Sequence, residues 1–246
     1  MRILCLNVWG GKQGNVLLDF LRSYAESVDV FCFQEVFAGS YPKESEPIPG
    51  MMDHFLETII HELPDHQCIS TKSRLEGDEI LTMAIRNTLT VSDHRTVTVY
   101  RNTNRQPQDP PSNDSVNLQA ISVEYKSKPL TVAQVHGYWE KDEGEDKPAR
   151  TEQTDGILRF VDSMSNPIVL CGDFNTNHRT QSIARISKKL HDLVTAAGVS
   201  NTRASFCPYA GTRADYAFTS PELRITSFKV LTDEVSDHLP LLIDIA

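Results

Sequence analysis

The sequence is short of patterned cysteine, of basic charge and of long apolar runs. Five cysteines, Cys5, Cys32, Cys68, Cys171 and Cys207, make an odd set. None of them shows Cys-x-x-Cys or cysteine–histidine zinc spacing. That pattern points to a reduced, cytoplasmic protein. Cys5, Cys32 and Cys171 fall in apolar runs, where a thiol acts as a small hydrophobe. Lys and Arg total 24 against 33 Asp and Glu, for a net charge of -9 and a pI near 5.4. A whole-chain basic footprint for nucleic acid is therefore absent, which disfavours tight non-specific DNA binding but leaves room for a local basic groove. No apolar stretch reaches transmembrane length, so no membrane partner is expected. Arg2-Ile3-Leu4-Cys5-Leu6 resembles the start of a leader, but Asn7 interrupts it and no cleavage-site pattern follows. Repeats and low-complexity tracts are missing too. With 246 residues, 39% hydrophobic and 23% charged, the chain has an ordinary globular composition. It is expected to form one domain over residues 1–246, as a monomer.

What is present is a series of apolar runs that stop on polar residues. Pro167-Ile168-Val169-Leu170 reads as a buried strand, and Gly172 punctuates its end. Asp173 and Asn175 lie two residues apart, so an extended backbone would aim both side chains to one side. A carboxylate and an amide aimed together from a sheet's carboxyl edge suit a metal ion or a phosphate ester. The same residue types also cap local backbone in turns.

In chain order, Arg2 to Asn7 reads as a strand, Gly14 to Glu26 as an amphipathic helix and Val28 to Gln34 as a second strand with Glu35 directly after it. Phe37 to Gly50 is a proline-bearing loop, and Met51 to Leu63 reads as a helix. Strands are expected at Gln67 to Ser70, Glu79 to Arg86 and Leu89 to Tyr100. The polar stretch Arg101 to Asn113 is a loop between strands, and Val116 to Tyr125 pairs with Leu130 to Gln134 as an antiparallel hairpin. An acidic segment, Trp139 to Asp146, precedes a helix that begins at Pro148. Thr180 to Ala196 has helical periodicity with Gly198 as its stop. Strands at Arg213 to Phe218, Leu223 to Leu231 and Leu239 to Ile245 close the chain. Strand–helix units interleaved with hairpins predict two packed sheets covered by helices.

Polar groups recur at the strand ends: Asn7, Glu35, His136, Asp173 with Asn175, Asp215, and Asp237 with His238. Each alone has a plain structural reading, as a strand end, a solvated turn or an exposed histidine. Asp215 is the odd one, because an acid in a buried strand needs a partner. Together the segments Leu6-Asn7-Val8-Trp9, Phe33-Gln34-Glu35-Val36, Val135-His136-Gly137, Gly172-Asp173-Phe174-Asn175, Arg213-Ala214-Asp215-Tyr216 and Ser236-Asp237-His238-Leu239-Pro240-Leu241 resemble, in order and spacing, the motifs of the endonuclease/exonuclease/phosphatase superfamily. The resemblance runs from Asn7 to Leu241.

That resemblance implies an α/β fold, a four-layer α/β/β/α sandwich of two packed mixed sheets flanked by helices. It also implies a metal-dependent hydrolase of phosphoric esters. Glu35 would be the principal Mg²⁺ ligand, with Asn7 and Asp237 close to the ion and Mn²⁺ as its substitute. Asp173 would orient or deprotonate the attacking water, and Asn175 would hold the phosphate or that water. His238 would contact the scissile phosphate, with Asp215 on its other ring nitrogen. His136 would donate to a phosphate oxygen or assist the leaving group. The chain departs from the family pattern at Ala214 and at Thr176-Asn177-His178-Arg179. Arg150 and Gln153 read as structural.

The leading reading is a Mg²⁺-dependent phosphoesterase using in-line attack by water. Its substrate is a phosphoester, either a small molecule or nucleic acid. Lys12, Lys72, Arg74, Arg101 and Arg105 lie in predicted loops that could rim the site, although the reading as solvated charges is slightly favoured. The acids between Glu140 and Asp146 would repel a long polyanion near His136, which makes a small phosphodiester or phosphomonoester at least as plausible a substrate as DNA. The alternatives are a repair-type DNA endo- or exonuclease and a non-catalytic binding module of the same fold.

Overall fold

A computed structural model of the chain describes residues 1–39, 50–104, 114–140 and 144–246. Strands β1 (Arg2–Asn7) and β2 (Val30–Phe37) run parallel, joined through helix α1 (Asn15–Ala25). Helix α2 (Phe55–Glu62) leads into the antiparallel pair β3 (His66–Lys72) and β4 (Glu79–Arg86), with β4 also paired to β2. An antiparallel meander of β5 (Val91–Arg101), β6 (Ser115–Tyr125) and β7 (Lys128–His136) opens a second sheet. Helix α3 (Pro148–Ser163) then crosses to β8 (Ile168–Asp173), parallel to β7. Next come α4 (Gln181–Ser187), β9 (His191–Asp192), α5 (Leu193–Ala196) and β10 (Asp215–Thr219), which lies antiparallel to β8. Strands β11 (Ile225–Val230) and β12 (Leu241–Ile245) return to the first sheet. The two six-stranded sheets have the orders β11-β12-β1-β2-β4-β3 and β5-β6-β7-β8-β10-β9.

The period-two alternation of the buried strands divides the core into three. Ile3 and Cys5 of β1, Val30 and Cys32 of β2, and Val169 and Cys171 of β8 point between the sheets. Leu4, Leu6, Phe31 and Phe33 point the other way, onto α1 and α2. Ile168 and Leu170 pack with Ile157 and Phe160 of α3 and Ile183 of α4. The result is the four-layer sandwich, with three of the cysteines as small apolar spacers at its centre. A chain of fully buried glutamines ties the sheets together: Gln34 Nε2 donates to Gln134 Oε1 at 2.6 Å and Gln134 Nε2 to Gln119 Oε1 at 2.8 Å.

Several sequence expectations shift. The helix expected from Met51 begins at Phe55, because His54 sits in the left-handed region at φ 51 and Met52 N donates instead to Gly10 O. The single helix expected over Thr180 to Ala196 is broken. His191 and Asp192 pair with the edge of β10, and the Asp192 side chain accepts from Thr195 N to start α5. The hairpin turn Lys126-Ser127 has positive φ at both residues, as a two-residue connection requires. The loop expected over Phe37 to Gly50 and the one over Arg101 to Asn113 fall largely outside the described residues.

Gly156 lies inside α3, where glycine costs roughly 1 kcal/mol relative to alanine. A Cβ there would fall 2.0 Å from the Val99 carbonyl oxygen of β5. Gly156→Ala is therefore expected to lower the melting temperature despite the gain in helix propensity. A thermal melt of the variant with an equal or higher midpoint would show that α3 does not pack this closely on the sheet.

Candidate active site

Topology brings the polar strand ends to one rim. Parallel pairs β1–β2 and β7–β8 present their carboxyl ends together, and the antiparallel strands β10 and β12 begin at that same edge. His136 is the register partner of Asp173, and Asp215 is its partner on the other side. Asn7 and Asp173, one from each sheet, touch directly: Asn7 Nδ2 donates to Asp173 Oδ2 at 3.1 Å and to Glu35 Oε1 at 2.8 Å. The Asn7 Oδ1 accepts from Trp9 N at 3.0 Å.

Glu35 does not follow β2, as the sequence suggested, but lies inside it. Gln34 and Glu35 together oppose Leu81 in a β-bulge, and Glu35 takes a left-handed φ of 56. Such a conformation costs a non-glycine residue on the order of 1–3 kcal/mol, and bulges of this kind re-aim a side chain. Asn175 also departs from expectation. It is not extended but left-handed at φ 51, and its backbone N–H donates to Asp173 Oδ1 at 2.8 Å. Its side-chain Nδ2 donates to Gly137 O at 3.1 Å, so the amide is fixed by a neighbouring loop rather than by strand alternation.

Asp173 is shared by two groups. With Glu35 and His136 it forms one set whose ligand atoms all lie within 4.8 Å of one another, and with Asp215 and His238 it forms another. His238 Nδ1 donates to both Asp215 oxygens at 2.9 Å, and Thr202 Oγ1 donates to Asp215 Oδ2 at 2.7 Å. The His238 Nε2 lies 3.5 Å from Asp173 Oδ2. Asp237, half-buried beside it, lines the same cleft.

The electrostatics follow from this crowding. Burial and the carboxylates of Glu79 and Asp237 push Glu35 up, against the pull of His136 and Asn7. Burial lowers His238, but the Asp215 and Asp173 carboxylates outweigh it and hold the ring at about 10. His136 is raised in the same way, with Glu79, Glu35 and Asp173 overcoming its burial. Burial raises Asp173, yet His238, Arg203 and His136 together bring it below the usual range. The rim thus carries two imidazoles whose pKa values the surrounding carboxylates raise, and a patch of carboxylates that repel one another.

A sequence model described as the Endonuclease/Exonuclease/phosphatase family matches residues 4–238. The chain belongs to that family. Its name covers endonucleases, exonucleases and phosphatases, all hydrolases of phosphoester bonds. No curated protein matches the chain by sequence. Among solved structures, a mannosyl-6-phosphatase from Bacteroides thetaiotaomicron superposes with a TM-score of 0.77 at 18% identity, covering 100% of this chain and 99% of that one. An endonuclease/exonuclease/phosphatase family protein from Leptotrichia buccalis gives 0.74 at 20% identity, over 100% and 99%. The catalytic domain of human Nocturnin with a bound sulfate gives 0.72 at 17% identity, over 100% and 93%. Likeness at these identities speaks for the fold.

Within this endonuclease/exonuclease/phosphatase fold, the cleft of about 570 Å³ at the rim also holds residues that the sequence reading passed over. Glu79 Oε1 accepts from His136 Nδ1 at 2.6 Å, and against its own burial His136 and Arg74 pull Glu79 down to about 2. The signal was there: Glu79 opens a strand, the same position that drew attention to Asp215. Arg74, one of the loop charges that could rim the site, is only 4% exposed and forms part of the cleft wall, so the favoured reading as a solvated charge fails for it. Arg203, 4% exposed, brings Nη1 within 2.9 Å of His238 Nε2. It comes from an irregular segment with no pattern to mark it. Lys12 stands over the Trp9 ring at 3.9 Å, and Arg105 lies outside the described residues.

Arg150 and Gln153 are structural. Fully buried Arg150 donates to the backbone oxygens of Glu145 and Glu140, and Gln153 accepts from Tyr138 N at 2.7 Å. Of the acids expected to repel a polyanion, Asp146 is committed to the start of α4 through Ser182 and Gln181.

Proposed function

We propose that the chain is a Mg²⁺-dependent phosphoesterase, with Mn²⁺ as the substitute ion, that hydrolyses a phosphate ester by in-line attack of water. The observation that carries this reading is the position of Asp173 between an acidic patch and the Asp215–His238 pair. The donors on the acidic side are the carboxylate oxygens of Glu35 and Asp237, hard ligands that suit such a cation. Asn7, whose amide nitrogen faces Glu35 and Asp173 and whose oxygen is held by Trp9 N, would orient those carboxylates beside the ion. The upward push on Glu35 marks negative charge that a cation would neutralise. A bound divalent cation supplies Lewis-acid stabilisation of charge on the phosphate.

The chain's own groups do the rest. Asp173, held in its ionised form, orients the attacking water and draws on its proton. Asn175, fixed through Gly137, positions the phosphate or that water. His238, oriented by Asp215, faces the scissile phosphate with Nε2. His136, oriented by Glu79, donates a proton toward a phosphate oxygen or the departing alcohol. The cleft of about 570 Å³ and the likeness to the Bacteroides mannosyl-6-phosphatase support a small phosphoester over a long polynucleotide.

The test is a panel of p-nitrophenyl phosphate, bis-p-nitrophenyl phosphate, sugar phosphates and oligonucleotides under metal titration. Turnover of a small ester with Mg²⁺ or Mn²⁺, abolished by EDTA, is the expected result. Turnover untouched by EDTA, or none on any ester, removes the reading. Selective cleavage of the oligonucleotides would instead support a nuclease.

A further inference from the structure

Arg74 is a buried cation whose hydrogen bonds are incomplete. Its Nη1 donates to Ser115 O at 2.9 Å and its Nη2 to Gly137 O at 3.3 Å. Both acceptors are neutral carbonyls. The Glu79 carboxylate feels its charge without a direct ion pair, and its buried Nε–H has no acceptor among the described residues. Burying a guanidinium is costly unless a counter-charge or a full set of hydrogen bonds compensates. Of its five N–H groups, the two carbonyls occupy only two. The carbonyls fix the plane of the fork, and the side chain forms part of the wall of the cleft that holds both imidazoles.

Resting on the phosphoesterase reading, we propose that Arg74 recognises the terminal phosphate of a phosphomonoester and so sets the enzyme's preference for monoesters over diesters. A terminal phosphate is a dianion near neutral pH, with three oxygens free to accept. A diester has one negative charge, and its second ester group occupies one of those oxygens. A fixed guanidinium rewards the first and is indifferent or hostile to the second. The reaction balances as hydrolysis. The water oxygen forms a bond to phosphorus, the bond from phosphorus to the ester oxygen breaks, and a proton passes to the departing alkoxide, leaving an alcohol and inorganic phosphate.

The test compares p-nitrophenyl phosphate with bis-p-nitrophenyl phosphate in the wild type, Arg74→Gln and Arg74→Lys, alongside calorimetric titration with inorganic phosphate. The wild type is expected to favour the monoester. In Arg74→Gln, kcat/KM on the monoester should fall on the order of 100-fold and phosphate binding should weaken at least about tenfold, while the diester loses less than about threefold. Arg74→Lys should recover part of the phosphate affinity but not the full monoester preference. Equal losses on both esters would mark Arg74 as merely structural, and a wild-type preference for the diester would overturn the proposal. If Arg74→Gln does not fold, Arg74→Lys and the wild-type ratio decide between the same outcomes. Phosphate titration needs no turnover. Absence of turnover on every ester therefore sinks the phosphoesterase reading, whereas phosphate affinity unchanged by either substitution sinks the role of Arg74.

Discussion

Replacing Glu35 by glutamine is expected to lower Mg²⁺-dependent hydrolysis on the order of 10³-fold while making the metal-free protein more stable. Glutamine preserves the shape and the Asn7 hydrogen bond, and faces the same left-handed backbone, so the bulge that presents residue 35 should survive. What is lost is a negative charge among Glu79, Asp237 and Asp173. The sign follows from linkage. A carboxyl pushed above its unfolded value favours the neutral form on folding, so its charged form works against the fold at neutral pH. Removing that charge relieves the repulsion. A relief of about 1 kcal/mol corresponds to a rise of roughly 2–4 °C in melting temperature for a chain of this size. Added Mg²⁺ should raise the wild-type melting temperature and leave Glu35→Gln nearly unmoved, because only a cation bound to the native state stabilises it. Thermal melts with and without Mg²⁺, paired with turnover, check both halves. A variant that keeps its activity, or responds to Mg²⁺ as the wild type does, would place the metal elsewhere.

Those paired outcomes reflect which parts of the molecule sequence could reveal. Alternation is local, so Ile3 and Cys5 against Leu4 and Leu6 already declare a strand buried on both faces. The strand-end acids and histidines were legible for the same reason, since each breaks an apolar run. The bulge at Glu35 was not, because it depends on the register of β2 against β4, a partner far along the chain. Asn175 shows the same limit: its conformation is set by Asp173 Oδ1 and Gly137 O, not by extension of the strand. The helix from Thr180 kept its apolar periodicity in sequence, but edge pairing of His191 with Thr219 overrode it. Arg203 was hidden most completely, and Arg74 stood undistinguished among the loop charges that could rim the site. Burial of an arginine is decided by tertiary contacts, and nothing in the composition of a loop distinguishes a solvated guanidinium from one sealed into a cleft wall.

Asp215→Asn is expected to lower kcat by about 10²–10⁴-fold with little change in KM. Asp215 does two things for His238. Its carboxylate accepts from Nδ1, which fixes the tautomer and leaves Nε2 facing the cleft, and its negative charge is the first of the influences that hold the ring up at about 10. Asparagine keeps the size and one acceptor oxygen, but it can also turn its amide N–H₂ toward Nδ1 and invert the tautomer. It also removes the charge, which leaves burial and the Arg203 guanidinium unopposed except by Asp173. Both changes deprive the transition state of a donor at Nε2 more than they disturb the bound substrate, and that difference predicts a loss in kcat over KM. Thr202, which donates to Asp215 Oδ2, supplies the control: Thr202→Val deletes one bond to the carboxylate without altering its charge and should cost far less. Steady-state kinetics on the best ester of the panel decides the matter. A loss below about tenfold in Asp215→Asn, or one carried entirely by KM, would mean that His238 binds the phosphate without taking part in the chemical step.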